Sequence, residues 1–218
     1  MTLLIFDCDG VLVDSERLAS EVDAEVLTGL GFPYTPEAIA SRFVGVSLKD
    51  MIGRIEAEHG RPLPADFGDT VTRALLARCE TSLEAVPGVR AAILALPHRR
   101  CVASSSTPAR IALSLRVTGL ADLFDHVFSA VAVPCGKPAP DLFLHAAARM
   151  GAPAEACLVI EDSVFGVQAA RAAGMPVIGF TGGGHCGPAH GAALTQAGAT
   201  AVIAHMRDLP GAVARLVG

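Results

Sequence analysis

Apolar residues along this chain fall into two alternating patterns. Residues 2–6 are Thr-Leu-Leu-Ile-Phe, a run without helical spacing that stops at Asp7, as a short buried strand does. Similar runs recur at 100–104, 126–129, 157–160, 176–180 and 201–203. Between them, helical spacing predicts helices over about 88–96, 108–116, 138–150, 163–173, 190–197 and 208–217. Strands alternating with helices of this length imply an α/β fold, a doubly wound parallel Rossmann-like sheet. Runs that are apolar throughout suit a sheet covered on both faces.

The block from 15 to 82 breaks the rhythm. It offers helices near 15–29, 36–42, 47–59 and 66–84 and no convincing strand, with Gly31-Phe32-Pro33 and Gly60-Arg61-Pro62 as punctuation. Residues 1–14 and 83–218 are therefore expected to form the α/β core. Residues 15–82 are expected to form an all-helical domain inserted after the first strand.

Composition narrows the class. Hydrophobic residues make up 51% of 218 residues and charged residues 18%, enough for a packed core and unlike a disordered chain. The formal net charge of −5 argues against a nucleic-acid partner, whose phosphates need clustered Lys and Arg, and against an anionic membrane surface. No apolar stretch reaches the ~18 residues of a membrane span, and Asp7 ends the first one too early for a signal peptide. The six cysteines are scattered without a C-x-x-C pair, so a reducing cytoplasm is the expected location. Lys49 and Lys137 are the only lysines.

Ligands of open α/β sheets bind at the carboxyl ends of the strands. The first strand ends in Asp7-Cys8-Asp9-Gly10 and the second in Ser104-Ser105-Ser106. The third is followed by Gly136-Lys137-Pro138, and the fourth ends in Glu161-Asp162-Ser163. Four carboxylates at one edge would repel each other without a cation among them. Oxygen donors without His suit a hard ion, Mg²⁺ above all. A lysine and hydroxyls beside such an ion would cradle a phosphate dianion. One carboxylate could then attack phosphorus, and a second, two residues on, could serve as acid and base.

Asp7-Cys8-Asp9-Gly10-Val11-Leu12-Val13-Asp14-Ser15-Glu16 resembles the first motif of the haloacid dehalogenase superfamily. Ser104, then Lys137 in Gly-Lys-Pro-Ala-Pro-Asp, then Glu161-Asp162-Ser163 with Gly166 behind, follow in that family's order. The nearest pattern is that of the beta-phosphoglucomutase-like phosphatases, with a helical first-type cap. The resemblance implies Asp7 as nucleophile and metal ligand. It implies Asp9 as general acid and base, its backbone carbonyl also on Mg²⁺. Ser104, Lys137 and the amide of Ser105 would hold the phosphoryl group. Asp162 would ligate the metal, and Glu161 would do so directly or through water. Arg42, Ser47 and Lys49 of the cap become candidates for substrate specificity.

The departures from the subgroup separate its activities. True beta-phosphoglucomutases carry an Arg after the cap-loop Ser and a His in the first cap helix; this chain has Leu48 and Ala19. Hydrolysis of a small sugar or sugar-acid phosphate is therefore expected, with a phosphosugar mutase as the alternative and a non-catalytic binding module behind it. Asp9 argues against a dehalogenase or a phosphonate hydrolase, which lack that acid.

Other residues have plainer readings. Ser163 is expected to cap a helix, and Ser106 with Thr107 to form the turn and cap before Pro108. Cys8 is expected to pack away from its flanking aspartates. Gly182-Gly183-Gly184-His185-Cys186, with His190, reads as a flexible Gly-rich loop more readily than as a metal site.

Overall fold

The apolar runs pair into one parallel sheet. In the computed structural model, which describes residues 2–43, Val46 and 48–217, six strands form: β1 (Leu3–Phe6), β2 (Arg99–Ser104), β3 (Val127–Ser129), β4 (Cys157–Glu161), β5 (Val177–Phe180) and β6 (Ala201–Ile203). Their order is β3-β2-β1-β4-β5-β6, all neighbours parallel. β1 lies at the centre, with Ile5 level with Cys101 on one side and Val159 on the other. A central strand flanked on both edges has no exposed backbone, so only apolar side chains suit it, and Leu3 through Phe6 are all buried.

Period-two alternation sends the strand residues to two faces. Leu3, Ile5, Cys101, Ala103, Val159 and Val177 pack in one core with Phe143, Ala146 and Val167. Those last residues belong to α7 (Asp141–Arg149) and α8 (Val164–Ala172). The alternate residues Leu4, Phe6, Val102, Ile160 and Ile178 are equally buried. Phe6 meets Phe124 edge-to-face at 5.8 Å. The remaining helices of this part are α5 (Val89–Leu94), α6 (Pro108–Val117), α9 (His190–Ala197) and α10 (Leu209–Val217).

The chain divides into two compact units, Met1–Asp14 with Glu84–Gly218, and Ser15–Leu83. The second is helical: α1 (Ser15–Gly29), α2 (Pro36–Phe43), α3 (Leu48–His59) and α4 (Phe67–Ser82). Its core is built from Leu27, Phe32, Tyr34, Ile39, Phe43, Met51, Ile55 and Phe67. In the first unit, the two junctions lie side by side. Asp14 N–H donates to the Glu84 carbonyl at 3.0 Å, Val86 N–H donates to Leu12 O at 2.9 Å, and Val13 bridges Ala85 antiparallel. Among the described residues no helix is long and apolar enough to cross a membrane.

Candidate active site

The carboxyl edge of the sheet gathers the polar residues that end its strands. β1 runs into Asp7, whose N–H still donates to Ile160 O at 3.0 Å. The chain then turns: Leu12 and Val13 donate to Cys8 O, and Gly10 donates to Val13 O. Gly10 makes the turn at φ 79°. A Cβ there would stand 1.9 Å from Asp162 Oδ2, so only glycine lets this loop pass the end of β4.

Lys137 is the cation at the centre. It is 6% exposed, and its ammonium donates to Asp7 Oδ1 at 2.6 Å and to Glu161 Oε1 at 2.7 Å. A third bond, at 3.3 Å, goes to Ala103 O on β2. Burial alone would lower the Lys137 ammonium, but the carboxylates of Asp7 and Glu161 raise it above its ordinary value. Burial pushes the Asp7 carboxyl well up; Lys137 pulls it down, and Glu161, Asp162 and Asp9 push it up again. One ammonium does not balance this crowd of carboxylates.

Asp7, Glu161 and Asp162 are all buried and can each present an oxygen within 4.8 Å of the others. Three buried oxygen donors with excess negative charge fit a hard divalent cation. Glu161 is also tied into the protein. Its Oε2 accepts from Ser163 N–H at 2.7 Å and Ser163 Oγ at 3.0 Å, while Ser163 Oγ caps α8 by accepting from Gly166 N–H at 2.9 Å. Helix cap and carboxylate anchor are one residue. Gly166 leaves the room: a Cβ there would lie 1.8 Å from Glu161 Oε1.

Asp9 sits on the other side of Asp7, against the β2–α6 turn. Ser104 Oγ is 3.5 Å from Asp9 Oδ2, and Ser106 Oγ donates to the same oxygen at 2.7 Å. Arg110, in the first turn of α6, reaches Asp9 Oδ1 at 3.0 Å. Thr107 caps α6 as expected, accepting from Arg110 N–H. Ser106 is more than a turn residue: its N–H donates to Ser104 Oγ, and its carbonyl accepts from Ser129 Oγ on β3. Ser105 is exposed between them. The Cys8 side chain is fully buried, and burial, with Asp9 and Asp7 nearby, pushes its thiol well up. It packs as a neutral group, and all six cysteines are free thiols.

The loop after β5 reaches the same edge. His185 Nε2 lies 3.0 Å from Asp162 Oδ2, His190 Nε2 lies 2.5 Å from the Asp162 carbonyl, and Gly184 N–H donates to Asp14 Oδ1 at 3.1 Å. Arg110, Ser106, His185 and His190 are thus site neighbours that sequence reasoning did not assign. A polar residue on the first turn after a strand end was the available signal for Ser106 and Arg110. The Gly-rich run was the signal for the histidines.

In the helical unit, Arg42 is engaged locally. Its guanidinium pairs with Glu58 at 2.5 Å and lies over the rings of Tyr34 and Phe43. Lys49 is exposed in the first turn of α3. Ser47, the third specificity candidate, lies outside the described residues.

A family model for haloacid dehalogenase-like hydrolases matches residues 1–174. The 6-phosphogluconate phosphatase of Escherichia coli K12 is 33% identical over 209 residues, covering 95% of this chain and 92% of that protein. A crystal structure of a conserved haloacid dehalogenase-like protein of unknown function from Agrobacterium tumefaciens matches with a TM-score of 0.92 at 42% identity, over 100% of both chains. A family hydrolase from Deinococcus radiodurans R1, crystallised with bound phosphate and sodium, matches at 33% identity and a TM-score of 0.86, over 100% of this chain and 96% of that one.

Proposed function

The chain belongs to the haloacid dehalogenase-like hydrolase family and is an enzyme of it, and from that premise we propose that it is a Mg²⁺-dependent phosphatase of small phosphomonoesters, sugar or sugar-acid phosphates foremost. The observation that carries the reading is the convergence of Asp7, Asp9, Ser104 and Lys137 at one sheet edge, with Glu161 and Asp162 beside them. Similarity to a 6-phosphogluconate phosphatase and to a phosphate-binding hydrolase supports the substrate class.

Asp7 Oδ attacks phosphorus in line with the ester bond, and the ester oxygen leaves as Asp9 gives it a proton. Asp7 now carries the phosphoryl group as an aspartyl-phosphate. Asp9 then takes a proton from water, the water oxygen attacks phosphorus, and the Asp7–phosphorus bond breaks to release phosphate and restore both carboxyls. Ser104, the Ser105 amide and Lys137 hold the phosphoryl oxygens, Lys137 doing so while bonded to Asp7. Mg²⁺, when bound by Asp7, Asp162 and the Asp9 carbonyl, supplies the positive field that lets two anions approach. We assign Glu161 chiefly to holding Lys137 and the start of α8, since its oxygens already accept from Lys137 and Ser163. The helical unit is proposed as a cap that limits substrates to metabolite size and excludes bulk water.

The test is a Mg²⁺-dependent phosphate-release screen over sugar, polyol and sugar-acid monophosphates. Asp7→Asn is expected to lose roughly 10³-fold or more of kcat/KM, and Asp9→Asn roughly 10²–10⁴-fold. Release that survives Asp7→Asn removes Asp7 from the nucleophile role. Conversion of a hexose 1-phosphate to its 6-phosphate without net phosphate release would establish the mutase instead.

A further inference from the structure

The loop after β5 folds its three best soft-metal donors together. His185, Cys186 and His190, the first residue of α9, can each present a ligand atom within 4.8 Å of the other two. His185 Nε2 and Cys186 Sγ are 3.4 Å apart. In a tetrahedral zinc shell, with Zn–N about 2.0–2.1 Å and Zn–S about 2.3 Å, the N···S edge is about 3.5 Å. The two imidazoles stand edge-to-face at 83° with centroids 5.5 Å apart. The His185 side chain is buried, 4% exposed, while Cys186 and His190 are only partly covered, which leaves an ion a way in.

The glycines hold this arrangement against the β1 loop. A Cβ at Gly183 would stand 2.9 Å from the His185 ring and 3.1 Å from Gly10 O, and one at Gly184 would stand 2.8 Å from Asp14 Oδ2. The loop therefore lies close enough for His185 to touch Asp162 Oδ2 at 3.0 Å. Two nitrogens and one sulfur would leave the fourth position of a tetrahedral shell to water. Such a set differs in kind from the all-oxygen cluster of Asp7, Glu161 and Asp162: imidazole and thiolate favour zinc over magnesium.

The geometry points to a second cation site at His185, Cys186 and His190, suited to Zn²⁺, which adjoins the oxygen cluster where His185 meets Asp162. Cys186 coordinates as the thiolate and releases its proton to buffer as the ion binds. His185, Cys186 and His190 take no part in the proposed hydrolysis, so the site stands or falls independently of that reaction.

Full-length protein in excess Mg²⁺ is titrated with Co²⁺ and followed by absorption, and Zn²⁺ retention is measured by equilibrium dialysis. The expected result is one tightly held equivalent with a thiolate-to-cobalt charge-transfer band and tetrahedral ligand-field bands. Cys186→Ser, checked for native circular dichroism, should lose the charge-transfer band. His190→Ala should weaken Zn²⁺ retention by at least about tenfold. Asp7→Asn should keep both signals, which separates this site from the oxygen cluster. No retained Zn²⁺, or a band of equal strength in wild type and Cys186→Ser, would overturn the proposal. Phosphate release bears on neither outcome.

Discussion

Lys137 joins two buried carboxylates, Asp7 and Glu161, through one ammonium. Lys137→Met leaves Asp7 and Glu161 facing each other without their ammonium. Breaking a buried pair in this way costs about 3–5 kcal/mol, and the loss should appear as a lower urea midpoint. The pH dependence has a definite sign. The folded-state ammonium titrates above its unfolded value of 10.5, so its contribution is complete below that pH and is lost as pH rises through the higher folded value. Alkaline titration of wild type should therefore show a loss of stability above pH 10.5 that Lys137→Met lacks. Asp7 gives a contrasting test. Its folded carboxyl also titrates above its unfolded value, so ionising it at neutral pH works against folding. Without metal, Asp7→Asn should be more stable than wild type by a few degrees in Tm, the scale of ~1 kcal/mol for a chain of this size. Asp7, Asp9, Ser104, Lys137 and Asp162 were legible in the sequence because each follows a recognisable apolar run. Ser106, Arg110 and His185 were not, because spacing along the chain does not say which loop a side chain will cross. Arg110 meets Asp9 from 101 positions away.

The helix start after β4 is the element on which the site depends most directly. Ser163→Ala removes both the α8 cap and the hydroxyl bond to Glu161 Oε2, leaving that oxygen only the backbone N–H of residue 163. It should cost about 1–2 kcal/mol by thermal unfolding and weaken phosphate release as well. Thr107→Ala at α6 should cost about 1 kcal/mol. Boundaries of elements followed local chemistry that periodicity alone misses. A helix over 138–150 was expected, but α7 begins at Asp141, since Pro138 and Pro140 lack an N–H and Ala139 closes a turn on Gly136. The helix expected to 84 stops at Ser82, where Leu83 goes extended at ψ 128°. The strands were more legible, because a run buried on both faces admits little but apolar residues. Their order was not, since a parallel sheet built from such runs can be wound in more than one sequence.

At the scale of the molecule, a net charge of −5 first appears unsuited to a phosphate substrate. Part of it is concentrated in Asp7, Glu161 and Asp162, which can hold a cation that reverses the local sign. Mg²⁺ at 100 times its Kd should then add about 2.7 kcal/mol of stability, seen as a rise in Tm that EDTA reverses and Asp162→Asn abolishes. The helical unit leaves the α/β unit at Asp14 and returns at Glu84, two residues hydrogen-bonded to each other at 3.0 Å. A segment that departs and re-enters through one short rung interrupts no strand of the sheet. Evolution can therefore lengthen, shorten or exchange it as a cassette, with Asp7 and its neighbours inherited unchanged. On the proposed reading, selectivity and reactivity would lie on separate stretches of the gene, free to diversify at different rates.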